Sequence, residues 1–260
     1  MNLGLEGKRA LVTAASAGLG YATALELARE GARVALCSRE PDHAQAAADK
    51  IRQETGREVL AFAADVASLE SLEALFAQAV PALGGLDALV CNAGGPPPGK
   101  FEALGEEQWS RGFQLTLMSV VRSIRLALPH LGEGGRILAF TSSSVRRPLD
   151  NLMLSNVYRP AVHGLLKTLS LELAPRGLAV NGLAPGRIET ERINELDDAA
   201  AKRQGTTREE VRARSLKEIP LARLGRPEEF GRVAAFLCSP AASYVTGQMW
   251  LVDGGSVTAL

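Results

Sequence analysis

The fold class this sequence predicts is a doubly wound α/β domain, a parallel sheet with helices on both faces. Three observations predict it. Strand-like and helix-like patterns alternate along almost the whole chain, the order that parallel strands with crossover helices require. The strand-like runs are short and apolar throughout instead of alternating, so both sheet faces must be covered. At 260 residues with 46% hydrophobic residues, the chain is long enough to bury such a sheet as one unit.

Residues 9–13 form the first strand, apolar at Ala10, Leu11 and Val12, and 20–30 the helix after it. The second strand, 33–38, is entered through Gly31. An alanine-rich helix over 42–54 is closed by Gly56, a residue suited to the left-handed turn that ends helices. The third strand is 58–63. Helix 69–83 spaces Leu72, Leu75, Phe76 and Ala79 at helical intervals and stops at Gly84-Gly85. The fourth strand is 88–91. Over 106–130, Trp109, Phe113, Leu117, Val120, Ile124 and Leu128 share one face of a long amphipathic helix. A fifth strand over 135–141 precedes a helix over 152–174, which ends at Pro175-Arg-Gly177. The sixth strand is 179–183, followed by helix 227–237 and a short last strand at 249–252. One stretch breaks the rhythm. Residues 190–224 are charged and helical and separate a strand end from the next helix; such an insertion reads as a lid, with its charged faces solvated. The chain is read as one domain, 1–260.

Acidic and basic residues balance at 29 each, so no basic stripe points to nucleic acid. No apolar run reaches transmembrane length, and the N-terminus has no signal-peptide hydrophobic region. Cys37, Cys91 and Cys238 are far apart and lack metal-ligand spacing. The expectation is a cytoplasmic protein without a metal, acting on a small molecule.

In a doubly wound sheet, ligands bind beyond the carboxyl ends of the strands. After the first strand comes Thr13-Ala-Ala-Ser-Ala-Gly-Leu-Gly20. Here Thr13, Ser16, Ala17, Gly18, Leu19 and Gly20 form a small-residue turn into a helix N-terminus, a cradle for phosphate. After the second stand Ser38 and Arg39, where an arginine suits a 2′-phosphate and stacks on adenine. The fit is to NADP, with NAD as the alternative. Asp65 and Val66 follow the third strand, and the carboxylate there suits the adenine amino group. Asn92, Ala93 and Gly94 follow the fourth and let a ribose lie against the backbone. Thr141-Ser-Ser-Ser144 follows the fifth. Pro185, Gly186, Ile188 and Thr190 follow the sixth, a turn able to meet a nicotinamide carboxamide.

Together these pieces resemble the short-chain dehydrogenase/reductase family, from about Gly7 to Gly255. The resemblance adds Val180-Asn181 and Tyr244-Val-Thr-Gly-Gln248 leading to Val252-Asp-Gly-Gly255. Within the family the chain is most similar to the β-ketoacyl-acyl-carrier-protein reductase branch. The resemblance implies a seven-stranded Rossmann sheet, a nicotinamide cofactor and a homotetramer, with helices 106–130 and 152–174 and the tail through Leu260 as contact surfaces.

Two departures matter. The family's phosphate turn begins Thr-Gly, whereas Ala14 follows Thr13 here; a negative φ would let alanine keep a nearly normal turn. The Ala17 position is often basic in members that prefer NADP. The second departure is chemical. The family uses a tyrosine and a lysine four residues apart on one helix, a serine after the fifth strand, and an asparagine on the preceding helix. Alignment on Ala161-Val-His-Gly-Leu165 and on the spacing from Ser142 puts Ser155 at the tyrosine position and Arg159 at the lysine position. Thr116 falls at the asparagine position. Ser142 is as the family has it, with Ser143 and Ser144 beside it.

Arg159 can donate to ribose hydroxyls, but a guanidinium does not pass protons along a relay. Ser155 can hydrogen-bond a carbonyl but is a weak acid. Tyr158 lies about 60° around the helix from Ser155 and reads as pocket wall or subunit contact, with a catalytic role as its alternative. His163 reads as a packed histidine, and His43 and His130 as surface or capping residues. Arg146-Arg147 follow the serine cluster and read as a solvated pair or as contacts to an acidic substrate. Ser142, Ser155 and Arg159 are thus the catalytic candidates of an NAD(P)-dependent oxidoreductase reducing a 3-oxoacyl-thioester-like carbonyl. The alternative is a non-catalytic dinucleotide-binding sensor or scaffold.

Overall fold

The structure, a computed structural model, describes residues 2–259. Met1 and Leu260, the latter the end of the expected contact tail, lie outside them. Seven strands, β1 (Arg9–Val12), β2 (Arg33–Ser38), β3 (Val59–Ala63), β4 (Leu86–Cys91), β5 (Leu131–Phe140), β6 (Ala179–Pro185) and β7 (Met249–Val252), form one sheet in the order β3-β2-β1-β4-β5-β6-β7. Every pairing is parallel.

The helices cover both faces. On one lie α1 (Gly18–Arg29), α2 (Pro41–Thr55) and, late in the chain, α9 (Pro227–Leu237), packed on Ala10, Val12, Val34 and Leu36. On the other lie α3 (Leu69–Leu83), α5 (Ser119–Ala127) and α6 (Met153–Glu172), packed on Leu11, Ala35, Cys37 and Leu89. Neighbouring strand residues thus enter opposite cores, which explains why the runs are apolar without alternation. Among the described residues, no helix is long and apolar enough to cross a membrane.

Several boundaries differ from the sequence reading by a residue or two, and two elements differ more. The single helix expected over 106–130 is α4 (Glu106–Phe113), a π-helical turn (Gln114–Met118) and then α5, which ends at Ala127. The wider turn carries Thr116 fully buried, and such insertions keep a helix continuous while re-aiming its faces. The fifth strand starts at Leu131, before the expected 135, because Leu131 pairs with Leu86 and the register then shifts. Gly134, at φ 80°, takes up the irregularity.

The insertion folds into α7 (Glu191–Gln204) and α8 (Arg208–Lys217). It leaves and returns through one narrow neck, where Glu189 N donates to Gly225 O at 2.8 Å and Gly225 N to Arg187 O at 3.0 Å. That neck holds both helices over the carboxyl edge of the sheet.

Candidate active site

β1 and β4 are neighbours whose following connections diverge to opposite faces, and this opens a crevice at their carboxyl ends. Thr13 and Asn92 lock its floor. Asn92 N donates to Thr13 Oγ1 at 2.8 Å, and Thr13 Oγ1 donates to Asn92 O at 2.7 Å. Asn92 Nδ2 donates to Ala14 O at 2.9 Å.

The phosphate turn is built differently from expectation at one point. Ala14 has φ 48°, not the negative value that its side chain would favour. The turn keeps the left-handed geometry that a glycine adopts freely, and an L-residue held there costs about 1–2 kcal/mol. The Asn92 bond to the Ala14 carbonyl fixes that geometry. Gly20 is needed for close approach: a Cβ there would stand 2.7 Å from Asn92 Nδ2 and 2.8 Å from Ala14 O. Ala17 precedes α1 without a side-chain cap, and no acidic residue occupies the first turn. The first N–H groups of α1 therefore face the crevice unpaired, at the positive end of the helix dipole.

The crevice widens into a cavity of about 730 Å³, within the range of small-molecule sites. Ala17, Gly18, Leu19, Asn92, Ala93 and Gly94 line one end. Pro185, Gly186, Ile188 and Thr190 line it from β6, and Ser142, Ser155 and Arg159 from the β5–α6 side. Thr13, Ser16, Gly20, Ser38, Arg39, Asp65 and Val66 are not on this cavity's wall. Thr13 and Gly20 shape the turn beneath it. Ser16 Oγ donates to Ser38 Oγ at 3.1 Å, which ties the turn to the end of β2. Arg39 is exposed just beyond and forms no ion pair among the described residues. Asp65 is exposed too, its carboxylate accepting from Ala67 N at 2.9 Å.

The serines form a compact group. Ser142 Oγ accepts from Ser144 N at 3.2 Å and starts a short turn. Ser144 Oγ lies 3.2 Å from Ser155 Oγ and 3.3 Å from Ser155 O, so the β5 turn fixes the start of α6. One helical turn on, Arg159 is 7% exposed. Its Nη1 donates to Phe140 O at 2.6 Å, and its Nε has no partner. Burial first, then the charge of Arg192, pushes its pKa down to about 10. Arg159 is thus a buried cation on the cavity wall with no carboxylate partner among the described residues.

Tyr158 points elsewhere. Its hydroxyl donates to Trp109 O at 3.0 Å, and its ring packs on Trp109 and Phe113 with centroids 6.0 Å apart in each pair. It joins α6 to α4 and does not line the cavity. His163 is half-buried on the same helix, its pKa lowered by burial and by Arg146 and Lys167. Thr116 Oγ1 is buried without a partner and also lies off the cavity. Among the described residues, no tyrosine, lysine or histidine lines it.

The expectation that the insertion's charged faces are solvated fails at Asp197. Its side chain is 1% exposed and is clasped by Arg187 and by Arg212, the latter at 3.2 Å. Guanidinium groups from the turn after β6 and from α8 hold it. Arg187 and Arg192 are cavity residues that the sequence reading passed over. Arg192 Nη2 donates to Pro96 O at 3.0 Å, so α7 is tied across the cavity mouth to the loop after β4.

The family model described as Enoyl-(Acyl carrier protein) reductase matches residues 13–257. The chain belongs to the short-chain dehydrogenase/reductase family. Among its relatives, the 7alpha-hydroxysteroid dehydrogenase of Escherichia coli (strain K12) is 33% identical over 261 residues, covering 100% of this chain and 98% of the relative. The L-sorbose reductase of Gluconobacter frateurii, solved with NADPH and L-sorbose, superposes with a TM-score of 0.94 at 32% identity, covering 100% of both chains. A short chain dehydrogenase of Burkholderia cenocepacia J2315, solved with NADP, gives 0.86 at 32% identity, covering 97% of this chain and 98% of that one. Both solved relatives share this fold along the whole sheet.

Proposed function

We propose that this chain is an NADP-dependent oxidoreductase, with NAD as the alternative cofactor, that reduces the carbonyl of a 3-oxoacyl-thioester-like substrate. The observation that carries this reading is Arg159, a buried, carboxylate-free cation on the wall of the cavity that the phosphate turn opens. The uncapped N-terminus of α1 and the Gly20 position, which a Cβ would fill, fit a dinucleotide. Bound NADPH supplies the hydride.

The chain's own residues do the rest. Thr13, Ser16, Ala17, Gly18, Leu19 and Gly20 hold the phosphates. Ser38 and Arg39 meet the 2′-phosphate, Asp65 and Val66 the adenine, and Asn92, Ala93 and Gly94 a ribose. Arg159 donates to the nicotinamide ribose, and Pro185, Gly186, Ile188 and Thr190 receive the carboxamide. Ser142 and Ser155 donate to the substrate carbonyl oxygen. In this reading Ser155 and Arg159 replace the family's tyrosine and lysine, so the proton comes from water or from the substrate. Helices α7 and α8 act as a lid. Phe113, Val157 and Leu171, exposed on the α4–α6 surface, support a homotetramer, which light scattering checks.

The lack of tyrosine and lysine on the cavity wall favours one competing reading, a dinucleotide-binding protein without turnover. Purified protein is titrated with NADPH, NADH and their oxidised forms in a thermal-shift assay. It is then assayed by nicotinamide absorbance against ketoacyl thioesters, ketones and alcohols. A cofactor shift with turnover supports the reductase. A shift without turnover across the panel overturns it in favour of binding alone, and no shift overturns both.

A further inference from the structure

The charged residues on the cavity wall already have partners within the protein. Asp197 is held by Arg187 and Arg212. Arg192 pairs with Glu195 at 3.3 Å and donates to Pro96 O at 3.0 Å. Arg203 pairs with Asp150 at 3.3 Å, and Glu218 stands 4.0 Å from Arg147. Glu191 accepts from Asn194 Nδ2 at 3.2 Å, and Arg214 Nε donates to Glu210 O at 3.3 Å. Arg159 donates to Phe140 O at 2.6 Å. The lid hydroxyls of Thr190 and Ser215 donate to Ile188 O at 3.3 Å and to Val211 O at 3.0 Å.

The apolar residues between these groups are not covered in the same way. Ile193, Leu196 and Ala200 of α7 line the cavity, and steps of three and four put them on one helix face. All three are only half-buried. Leu149 and Leu152 line the cavity from the connection between β5 and α6 and are half-buried too. That connection is itself fixed. Asn156 Oδ1 accepts from Leu149 N at 3.0 Å, Asn156 Nδ2 donates to Leu149 O at 2.9 Å, and Gly99 N donates to Asn151 O at 2.7 Å. Arg192 to Pro96 and Arg203 to Asp150 tie α7 across the cavity at the two ends of its apolar face, and the side chains between those ties stay uncovered. A hydrocarbon chain would cover this surface and disturb no existing pair, whereas a charged or hydroxylated chain would have to compete with one.

We propose that the inner face of α7, at Ile193, Leu196 and Ala200, together with Leu149 and Leu152, forms a channel for a hydrocarbon chain carried by the substrate, so that specificity rises with the length of that chain. The proposal rests on the reductase reading for the carbonyl, and on the uncovered apolar surface for the chain.

The test uses the full-length protein, NADPH and the N-acetylcysteamine thioesters of acetoacetic, 3-oxohexanoic and 3-oxooctanoic acid. In parallel, calorimetry measures the affinity of the matching saturated thioesters, which hold no ketone to reduce, with and without NADP⁺. Both kcat/KM and affinity are expected to rise about threefold for each added methylene, or roughly tenfold for each step of the series. Leu196→Asn flattens that rise. Ala200→Leu, which fills the channel, makes the longest member the poorest. Each variant is read on protein that melts as the wild type does. Equal kcat/KM and equal affinity along the series, with turnover, overturn the channel and leave the reductase reading standing. Binding that rises with chain length and is flattened by Leu196→Asn, without turnover of any member, upholds the channel and overturns the reductase reading. A rise that survives both substitutions overturns the channel, because the chain then lies elsewhere. No binding and no turnover of any member overturns both.

Discussion

Replacing Arg159 with methionine separates what this side chain does for the fold from what it does for a ligand. The guanidinium is 7% exposed, has no carboxylate partner, and returns one hydrogen bond of 2.6 Å to Phe140 O. Burying an unpaired cation costs several kcal/mol, and a bond of that kind returns about 1.5–3 kcal/mol. Methionine fills a similar volume with an adaptable apolar chain. It leaves the Phe140 carbonyl without its donor, at about 1–3 kcal/mol. These terms offset, so the free Arg159→Met protein is expected to melt at or slightly above the wild-type temperature. The ligand-bound protein behaves oppositely. Loss of a charged donor to the ribose raises the NADP⁺ Kd by about ten- to a hundredfold. At a ligand concentration of about 100 wild-type Kd, binding stabilises the wild type by about 2.7 kcal/mol; a thirtyfold weaker variant keeps about 0.9 kcal/mol. For a domain of this size the ligand-induced rise in Tm should shrink by about 4–8 °C. Differential scanning calorimetry with and without NADP⁺ reads both numbers. A free protein that loses stability while its ligand-induced shift stays intact refutes the argument, because Arg159 then serves packing alone.

Three further outcomes follow from the same geometry. Gly20→Ala puts a Cβ within 2.7 Å of Asn92 Nδ2 and is expected to cost about 1–3 kcal/mol and to abolish the NADP⁺ shift; an unchanged urea midpoint contradicts the close-approach role. Arg39→Gln should weaken NADP⁺ about tenfold, in line with one charge-assisted contact, and leave NAD⁺ affinity unchanged; equal loss for both cofactors removes the 2′-phosphate assignment. Glu229 accepts from Arg223 at 2.7 and 2.8 Å and from Arg226 N at 2.7 Å, which lowers its pKa from 4.5 to about 2. A carboxyl lowered by folding stabilises above its unfolded pKa and loses that contribution as pH falls through the folded one. Glu229→Gln should therefore lose less Tm than wild type between pH 4.5 and 2, and parallel Tm curves would discard the assignment.

The sheet was legible because its signal is local. Runs such as Val34-Ala-Leu-Cys37 have no polar face, and only a two-sided burial accommodates them. The cavity-lining turns were legible because each sits one step beyond a strand. Ala14 was not. Its carbonyl is held by Asn92, just past the end of β4 and 78 residues away, and no local preference of alanine announces a positive φ. Asp197 was misjudged for the same reason. On α7 alone it sits on a charged, soluble-looking face, and only the approach of Arg187 and Arg212 buries it.

Ser155 and Tyr158 show how three residues of helix decide chemistry. Both stand in the first turns of α6, yet one faces the serine turn and the cavity while the other faces Trp109 and Phe113. Moving the phenol back to the cavity would require rotating α6, and the bonds that hold it are short-range and numerous: Ser144 to Ser155, Asn156 to Leu149, Arg159 to Phe140. These bonds fix which face of α6 meets the cavity. Of the charged groups on the cavity wall, the guanidinium ions hold their protons at neutral pH, so they are suited to holding and orienting a ligand and not to passing protons.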